Sequence, residues 1–536
     1  MLWQGVCLFF VEASEAAVNV GSVRDAELVG EKFRRSWSTN TVPLSFLAES
    51  SIRQLKGKHS TIYTDVGSSV AVDSLPMFFD LMVVELCRYF GVDYSRYEKF
   101  YVQVFLIDDL EKFNKHGLLE NAKDIRNGYS FQNRIWVRHN ASDYYQRHLL
   151  LHEEVHAFIV YAFGVTGAYW FREGIAEMLA THKYENGKLT SCWYPSDNLS
   201  VPHFGRIEVI QRLIATNKIS ATKNEIAQND SVEKKYTSKN TNTKLINLNL
   251  LSRFGGDGIG LSELEVYSLC WGFAMFCENH ERYHKAYRQI VTKLENSGDE
   301  VMQRFVMLIA RDQKMSLTEA RRQLEYDWYD FQMNICYGYD FERTVIDYNL
   351  PTKKNAITTN TIAADAITTN TNSTKNAGTA TSNSAQNVGE PLGIATIQSN
   401  RGWQNSGVIL ERGKLYEITS AGRFQVAQKP AIWWAEPNGI TIKYNQGVPL
   451  GKLLGTIIPE QIKNNSTAKN TAQNTANDEE PPQNFETIPE YKTIGLNTTW
   501  QPTVTGYLYL RINDSPATLK DNKGTIEVKI FDRVQK

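Results

Sequence analysis

A pair of histidines in the first half of the chain has the spacing of metal ligands. The stretch Leu149–Phe158 reads LLLHEEVHAF, so His152 and His156 are four residues apart. On a helix, that spacing places both imidazoles on one face, within reach of a single Zn²⁺. Glu153 follows the first histidine, where a carboxylate can take a proton from a metal-activated water. The alternative is a chance match on an ordinary amphipathic helix.

A two-histidine zinc site needs a third ligand, and the downstream segment WFREGIAE supplies a candidate. HExxH followed by this segment resembles the gluzincin peptidases, which include the thermolysin-like enzymes and the zinc aminopeptidases, and within them a family of uncharacterised bacterial proteins. The resemblance implies that His152, His156 and Glu173 bind zinc. It implies that Glu153 is the catalytic base and that Glu177, one turn after the third ligand, orients a ligating histidine. For Glu177, a solvated helix carboxylate is the alternative.

Other polar residues near the motif are weaker candidates. Tyr267 is placed, by its position in the chain, as a donor to the oxyanion that develops when water attacks a carbonyl. A tyrosine packed in the core is an equally good interpretation. His148, one turn before His152, is predicted to lie on the helix surface. His280 and His284 are also four residues apart and are predicted to be surface residues.

A second candidate site lies near the C-terminus, between two predicted strands. Four oxygen-bearing side chains fall within nine residues there: Asp514, Thr518, Asp521 and Asn522. Hard oxygen ligands at such close spacing suit Ca²⁺. An Asp/Asn-rich hairpin turn is the more ordinary use of the same residue types, and the spacing alone favours the turn.

The segment around these four residues resembles the calcium loop of the PA-I galactophilic lectin family, a small β-sandwich. GVILERGKLYEITSAG at 407–422 and GKLLGTI at 451–457 resemble strands of that family. The resemblance implies a calcium ion on the four side chains, a further carbonyl ligand near Val426, and a glycan or cell-surface glycoconjugate as partner. The family's sugar-contacting histidine and glutamine have no counterpart, since no histidine follows His284. A spacer or protein-docking module is therefore the alternative.

The elements around the first motif alternate between strands and helices. The predicted strands are 60–65, 100–107 and 134–137, and the predicted helices are 75–90, 142–163, 172–182 and much of 262–335. This order predicts an α+β unit with a small sheet, and the gluzincin resemblance implies a zincin-like fold. After residue 395, short β-prone runs separated by Gly, Asn and Pro predict an all-β sandwich.

The chain of 536 residues is too long for one ordinary core. We predict an N-terminal segment at 1–50, a gluzincin-like domain at 51–345, a flexible Asn/Thr-rich linker at 346–395, and a lectin-like β-sandwich at 396–536 with a polar insertion at about 463–490. The linker contains an exact repeat, AITTNT. A Lys/Asn-rich run at 219–245 interrupts the first domain.

Composition excludes several classes of protein. The formal net charge is −1 and no block of Lys or Arg stands out, which argues against a nucleic-acid partner. No run approaches the roughly 18 apolar residues of a transmembrane span. Six separated cysteines without a C-x-x-C pair form neither a disulfide scaffold nor a cysteine zinc site. The apolar stretch 1–11 lacks preceding positive charge, so it predicts either a truncated secretion signal or a frayed terminus.

Together these features predict a secreted or extracytoplasmic zinc metallopeptidase that hydrolyses a peptide or protein substrate and is targeted by a lectin-like calcium domain. Two alternatives stay open: a non-catalytic protein with structural zinc, and a calcium-dependent carbohydrate-binding protein. The presence of Glu153 favours catalysis, because a structural site has no use for a base and usually fills all four zinc positions with protein ligands.

Overall fold

The structure, a computed structural model, describes residues 49–119, 125–164, 167–216, 247–255, 260–290, 298–351, 390–459 and 491–533, with positions 37, 42, 43, 47 and 122. The apolar stretch 1–11, the run 219–245, most of the Asn/Thr-rich tract and the polar insertion lie outside the described residues. The chain divides into two units, residues 1–341 and 342–536. Within the described part, no helix is long and apolar enough to cross a membrane.

The first unit contains a five-stranded sheet built from β1 (Arg53–Lys56), β2 (Ser60–Thr64), β3 (Val102–Ile107), β4 (Gly128–Phe131) and β5 (Arg134–Arg138). Its strand order is β1-β2-β3-β5-β4. The strands β2, β3 and β5 run parallel, while β1 and β4 are antiparallel to their neighbours. The antiparallel strand β4 therefore forms one edge of this sheet.

Both faces of the sheet are covered. Side chains of successive strand residues point to opposite faces, and β3 shows the consequence. Val104 and Leu106 pack into the large core on the side of the long helices. Phe105 and Ile107 join a smaller core on the other side. Because both faces of β3 are buried, apolar residues are needed on both sides of this central strand.

Helices make up most of the rest of the first unit. They are α1 (Val70–Asp73), α2 (Leu75–Phe90), α3 (Leu110–Lys115), α4 (Asp143–Phe163), α5 (Tyr169–Ala180), α6 (described over 206–216), α7 (Leu248–Ser252), α8 (Glu263–Asn279), α9 (His284–Ile290), α10 (Gly298–Gln313) and α11 (Leu317–Asn334). A short hairpin, β6 (Lys183–Glu185) and β7 (Lys188–Thr190), follows α5.

The helix α4 carries the HExxH motif, and its ends are defined by capping residues. The hydroxyl of Ser142 accepts from the Tyr145 amide at 3.3 Å, and Gly164 closes the helix in the left-handed conformation. The helices α5 and α8 approach closely at Gly174, where a β-carbon would lie 2.8 Å from the carbonyl oxygen of Cys270. This approach brings the start of α8 beside Glu173.

The second unit is β-rich, as the sequence predicts. One sheet has the order β16-β10-β18-β8 and the other has the order β13-β14-β17-β9, with β15 beside β14. These strands are β8 (Gly393–Gln398), β9 (Gln404–Leu410), β10 (Tyr416–Ala421), β13 (Asn438–Asn445), β14 (Val448–Pro459), β15 (Lys492–Thr493), β16 (Asn497–Trp500), β17 (Gly506–Ile512) and β18 (Thr525–Asp532). A two-stranded ribbon, β11 (Phe424–Ala427) and β12 (Trp433–Ala435), completes the unit. Residues of both larger sheets fill one apolar core, among them Ile418, Val528, Leu453 and Leu510.

Most of the predicted elements of the first unit are confirmed. The strands at 60–65, 100–107 and 134–137 and the helices at 75–90 and 142–163 match β2, β3, β5, α2 and α4. The helix predicted at 172–182 begins three residues earlier, at Tyr169. The mixed helix and strand content of this unit is likewise as predicted. The edge strand β4 was not predicted.

Candidate metal centre

Three of the predicted ligands converge between α4 and α5, and we call them the HExxH cluster: His152, His156 and Glu173. The Nε2 atoms of His152 and His156 are 3.1 Å apart. Oε2 of Glu173 lies 3.4 Å from the first and 3.2 Å from the second. A tetrahedral zinc ion with bonds of about 2.0–2.1 Å needs ligand atoms about 3.3 Å apart. The three donor atoms therefore fit one face of such a tetrahedron.

The two carboxylates beside His152 attract positive charge to this cluster. Burial opposes the charged imidazole, but the hydrogen bond to Glu173 and the charge of Glu177 raise the pKa of His152 to about 9. Burial likewise opposes the Glu173 carboxylate, yet His156 and the hydrogen bonds to both histidines hold the pKa of Glu173 well below its ordinary value. A group of this composition binds either protons or a metal cation.

Glu173 is oriented by its neighbour in the chain. Nε of Arg172 donates to Oε1 of Glu173 at 2.9 Å. The other oxygen, Oε2, is the one directed at the two histidines. Arg172 thus holds the carboxylate by one oxygen and leaves the other directed at the two histidines.

Glu177 is buried next to the cluster, which contradicts the alternative of a solvated carboxylate. Its oxygens accept from Arg206, Nε to Oε2 at 3.0 Å and Nη2 to Oε1 at 2.9 Å. Oε2 is 3.1 Å from Nε2 of His148, and Oε1 is 3.5 Å from Nδ1 of His152. Although burial opposes its charge, Arg206 and His148 lower the pKa of Glu177. Such an anion favours the proton on Nδ1 of His152 and the lone pair on Nε2.

A second set of metal-competent side chains overlaps the first, and we call it the upstream cluster: His148, His152 and Glu177. The predicted surface position of His148 is wrong, since this residue is fully buried and packs against the Phe204 ring with centroids 4.9 Å apart. Burial lowers the pKa of His148. His148 is buried because Phe204 and α5 cover the face of α4 on which it lies.

Glu153 lies against the edge strand β4. It is 7% exposed, and a β-carbon at Gly128 would stand 2.6 Å from its Oε1. Burial, with a contribution from the Glu153 charge, raises the pKa of the neighbouring Tyr129. The Glu153 side chain therefore extends from α4 toward β4, the last strand of this sheet among the described residues.

Tyr267 reaches the same region from the first turns of α8. Its ring lies 5.9 Å from the ring of His152. The charge of Glu173 and burial raise the pKa of Tyr267 well above its ordinary value, with a smaller contribution from Glu153. The side chain is thus a neutral phenol beside the cluster, and a core position away from the site is excluded.

Residues 280–284 read HERYH, so the histidine pair that was predicted to lie on the surface is also an HExxH sequence. Here α8 ends at Asn279 and α9 begins at His284, so the motif spans a break between helices. His280 is 5% exposed, which corrects its predicted surface position, and its Nε2 lies 3.6 Å from Asp327. Nδ1 of His284 instead lies 2.7 Å from the Glu278 carbonyl oxygen. His280 follows the end of α8 and His284 begins α9, so their imidazoles do not lie on the same face of one helix.

The side chains of Thr518 and Asn522 both interact with the Asp514 carboxyl, so three of the four predicted calcium ligands lie together. The hydroxyl of Thr518 donates to Oδ1 of Asp514 at 2.7 Å, and Nδ2 of Asn522 donates to the Ser399 carbonyl at 2.9 Å. Asp514 and Asn522 are 4% and 1% exposed. No hydrogen-bond donor of the described residues reaches Oδ2 of Asp514 or Oδ1 of Asn522 in good geometry. Two buried acceptor oxygens of this kind fit a hard cation.

The remaining predicted groups, Asp521 and Val426, lie in the same loop and in the strand that pairs with it. Asp521 closes the short 3₁₀ helix Leu519–Asp521, and its carbonyl accepts from Nε2 of Gln425 at 2.7 Å. The backbone of Gln425 pairs with Lys523, so the strand that contains Val426 runs along this loop. Burial raises the pKa of Asp514 despite its hydrogen bonds.

Three groups of the first site could not be picked out from the sequence: Arg172, Arg206 and the edge-strand residue Gly128. Arg172 alone carried a local signal, because it directly precedes a predicted ligand. Arg206 is 29 residues from Glu177, and β4 has only four residues. Contacts over such distances leave no periodic pattern in one sequence.

Comparison with known proteins gives little further information. No family model matches the chain, and no curated protein matches it. Matches were found to 23 chains of solved structures. One is described as "EclA N-terminal domain; PllA-like lectin"; it is 15% identical, with a TM-score of 0.18, and the match covers 26% of this chain and 95% of that chain. At these values the likeness defines neither a family nor a function.

Proposed function

We propose that the first unit is a zinc-dependent peptidase of the gluzincin type with a zincin-like fold. One observation carries the proposal: the ligand atoms of His152, His156 and Glu173 stand 3.1–3.4 Å apart, at the spacing of a tetrahedral zinc site. Glu153 lies beside them on the same helix and faces a strand edge. A purely structural zinc site would need a fourth protein ligand instead.

The proposed reaction is hydrolysis of a peptide bond. Zinc, when bound, supplies Lewis acidity that polarises the carbonyl and makes a water more acidic. Glu153 accepts a proton from the attacking water and passes it to the departing amine. Tyr267, held neutral, donates to the oxyanion that develops on the substrate. Glu177 keeps the His152 ring in the tautomer that the ion requires.

The edge strand β4 supports a peptide as the substrate. Its partner in the sheet, β5, occupies one side, and Gly128 brings the strand within contact of Glu153. An extended peptide that pairs with the other side of β4 by main-chain hydrogen bonds would lay a carbonyl beside the HExxH cluster. Because this mode of binding uses the main chain of the peptide, it would accept peptides of many different sequences.

The test compares Glu153→Gln with Glu154→Gln on a library of unmodified peptides, with cleavage followed by mass spectrometry and zinc content measured in parallel. Glu154 is a matched control because it is fully buried on the same helix and its pKa is raised well above the ordinary value by burial. We expect Glu153→Gln to keep zinc and lose cleavage, and Glu154→Gln to keep both. Equal cleavage by the two variants would contradict the role of Glu153 as the base, and zinc without cleavage in the unmodified protein would favour the non-catalytic zinc protein.

For the second unit we propose a calcium-binding β-sandwich that targets the peptidase to a glycan or cell-surface glycoconjugate outside the cytoplasm. The buried acceptor oxygens of Asp514 and Asn522 support the calcium part. Tethering would raise the concentration of substrate near the peptidase. If the calcium-dependent carbohydrate-binding alternative is correct, glycan-array binding will be the main activity. Such binding should disappear with chelator and with Asp514→Ala.

A further inference from the structure

Residue type alone does not decide which of the two overlapping clusters holds a metal. The HExxH cluster and the upstream cluster each consist of two imidazoles and one carboxylate, and they share His152. In each, the donor atoms lie within 4.8 Å of one another. Either set satisfies the ligand preferences of zinc.

The two clusters differ in the arginine that contacts their carboxylate. Arg172 donates to one oxygen of Glu173 and leaves Oε2 directed at the histidines. Arg206 donates to both oxygens of Glu177, at 2.9 and 3.0 Å, and its side chain is only 4% exposed. A bidentate ion pair of this kind fixes the position of the Glu177 carboxylate and favours its charged form.

Resting on the zinc site proposed above, we propose that Arg206 is a positioning residue that excludes metal from the upstream cluster and confines it to the HExxH cluster. Its guanidinium uses both oxygens of Glu177, and its buried positive charge repels a dication placed there. The same bond holds the Glu177 carboxylate 3.5 Å from Nδ1 of His152. The lone pair of that imidazole is thereby left on Nε2, toward His156 and Glu173.

The surroundings of Arg206 fix it in this place. It begins α6 directly after Gly205, and its guanidinium carbon lies 5.3 Å from the Phe204 ring. That ring packs in turn against His148. The chain segment 204–206 thus covers the upstream cluster with one aromatic ring and one positive charge.

The test uses the full chain with zinc as the probe and asks for a gain of binding. Four forms are compared: unmodified, His156→Ala, His156→Ala with Arg206→Met, and His156→Ala with Arg206→Lys. Zinc per chain and affinity are measured by competition with a chromophoric chelator, and circular dichroism checks folding. We expect His156→Ala to lose the zinc. Adding Arg206→Met should restore affinity at least tenfold, because Glu177 becomes a ligand, whereas Arg206→Lys keeps the charge and should restore none.

A folded His156→Ala/Arg206→Met protein that binds zinc no better than His156→Ala overturns the role of Arg206. Absence of zinc from the unmodified protein would instead overturn the proposed function, so the two failures are distinct. If the Arg206→Met form does not fold, anomalous diffraction from the unmodified zinc protein decides. An ion among His152, His156 and Glu173 supports the inference, and an ion between His148 and Glu177 overturns it.

Discussion

Gly128 on the edge strand lies so close to Glu153 that a β-carbon at this position would stand 2.6 Å from Oε1 of the carboxylate. Real β-carbons essentially never come this close to another heavy atom, so either the strand or the carboxylate would have to move. The position of Glu153, the proposed base on α4, therefore depends on residue 128 of β4 having no side chain.

We predict that Gly128→Ala lowers kcat/KM for peptide cleavage by about a hundredfold, the cost of a misplacement of about 1 Å. Zinc content should not change, because the alanine methyl contacts the base and not a ligand. The matched control is Gly67→Ala, where a β-carbon would meet nothing within 4 Å. Equal kcat/KM for the two variants would show that β4 does not position Glu153.

Tyr267→Phe tests the proposed oxyanion donor. Removing the hydroxyl should lower kcat by about 10²–10³-fold, the usual effect of losing one such donor, with KM and zinc content nearly unchanged. Tyr444→Phe, at an exposed tyrosine of the second unit, is the control and should behave like the unmodified protein. A loss confined to KM would assign Tyr267 to substrate binding instead.

His182 makes the stability of the first unit depend on pH. Burial, with a smaller contribution from Arg147, lowers its pKa from 6.5 to about 3. Its Nδ1 lies 2.8 Å from the Ala180 carbonyl oxygen and its Nε2 lies 3.2 Å from Nε of Arg147, which suits the neutral ring. A depressed folded-state pKa contributes stability above 6.5 that is lost as the pH falls toward 3, by up to about 1.4 kcal/mol per pH unit.

Urea unfolding of His182→Gln and of the unmodified protein between pH 7 and pH 4 measures this contribution. The variant should be less stable at pH 7 but should lose less stability on acidification. His139→Gln, at an exposed histidine, should follow the unmodified protein. Parallel pH profiles for His182→Gln and the unmodified protein would contradict a buried neutral His182.

Calcium should stabilise the second unit. An ion bound at a hundredfold excess over its Kd adds about 2.7 kcal/mol to the free energy of unfolding, so the transition of this unit should move up by several degrees. Asp514→Asn should abolish the shift because it removes the ligand charge. Glu527→Gln, on an exposed strand position, should keep it. A calcium-independent transition in the unmodified protein would favour the hairpin-turn interpretation of these residues.

Sequence patterns predicted the parts of the site that lie on one helix or follow it closely. His152 and His156 share α4, so helical spacing sufficed to place them on one face. Glu173, on the next helix, was assigned through the resemblance of its segment to the gluzincin peptidases. The contacts that orient them come from elsewhere and were missed: Gly128 lies on a four-residue strand and Arg206 on α6. The burial of His148 and His280 was also missed, since which side of a helix is covered depends on distant elements.

Zinc binding by the HExxH cluster is the central claim, and the metal content of the purified protein tests it most directly. Mass spectrometry of the unmodified chain, His156→Ala and the surface control His139→Ala should be compared after purification and after incubation with zinc. About one zinc per chain in the unmodified protein and the control, lost in His156→Ala, is the predicted result. No zinc in any form, or equal zinc in all three, would contradict the account.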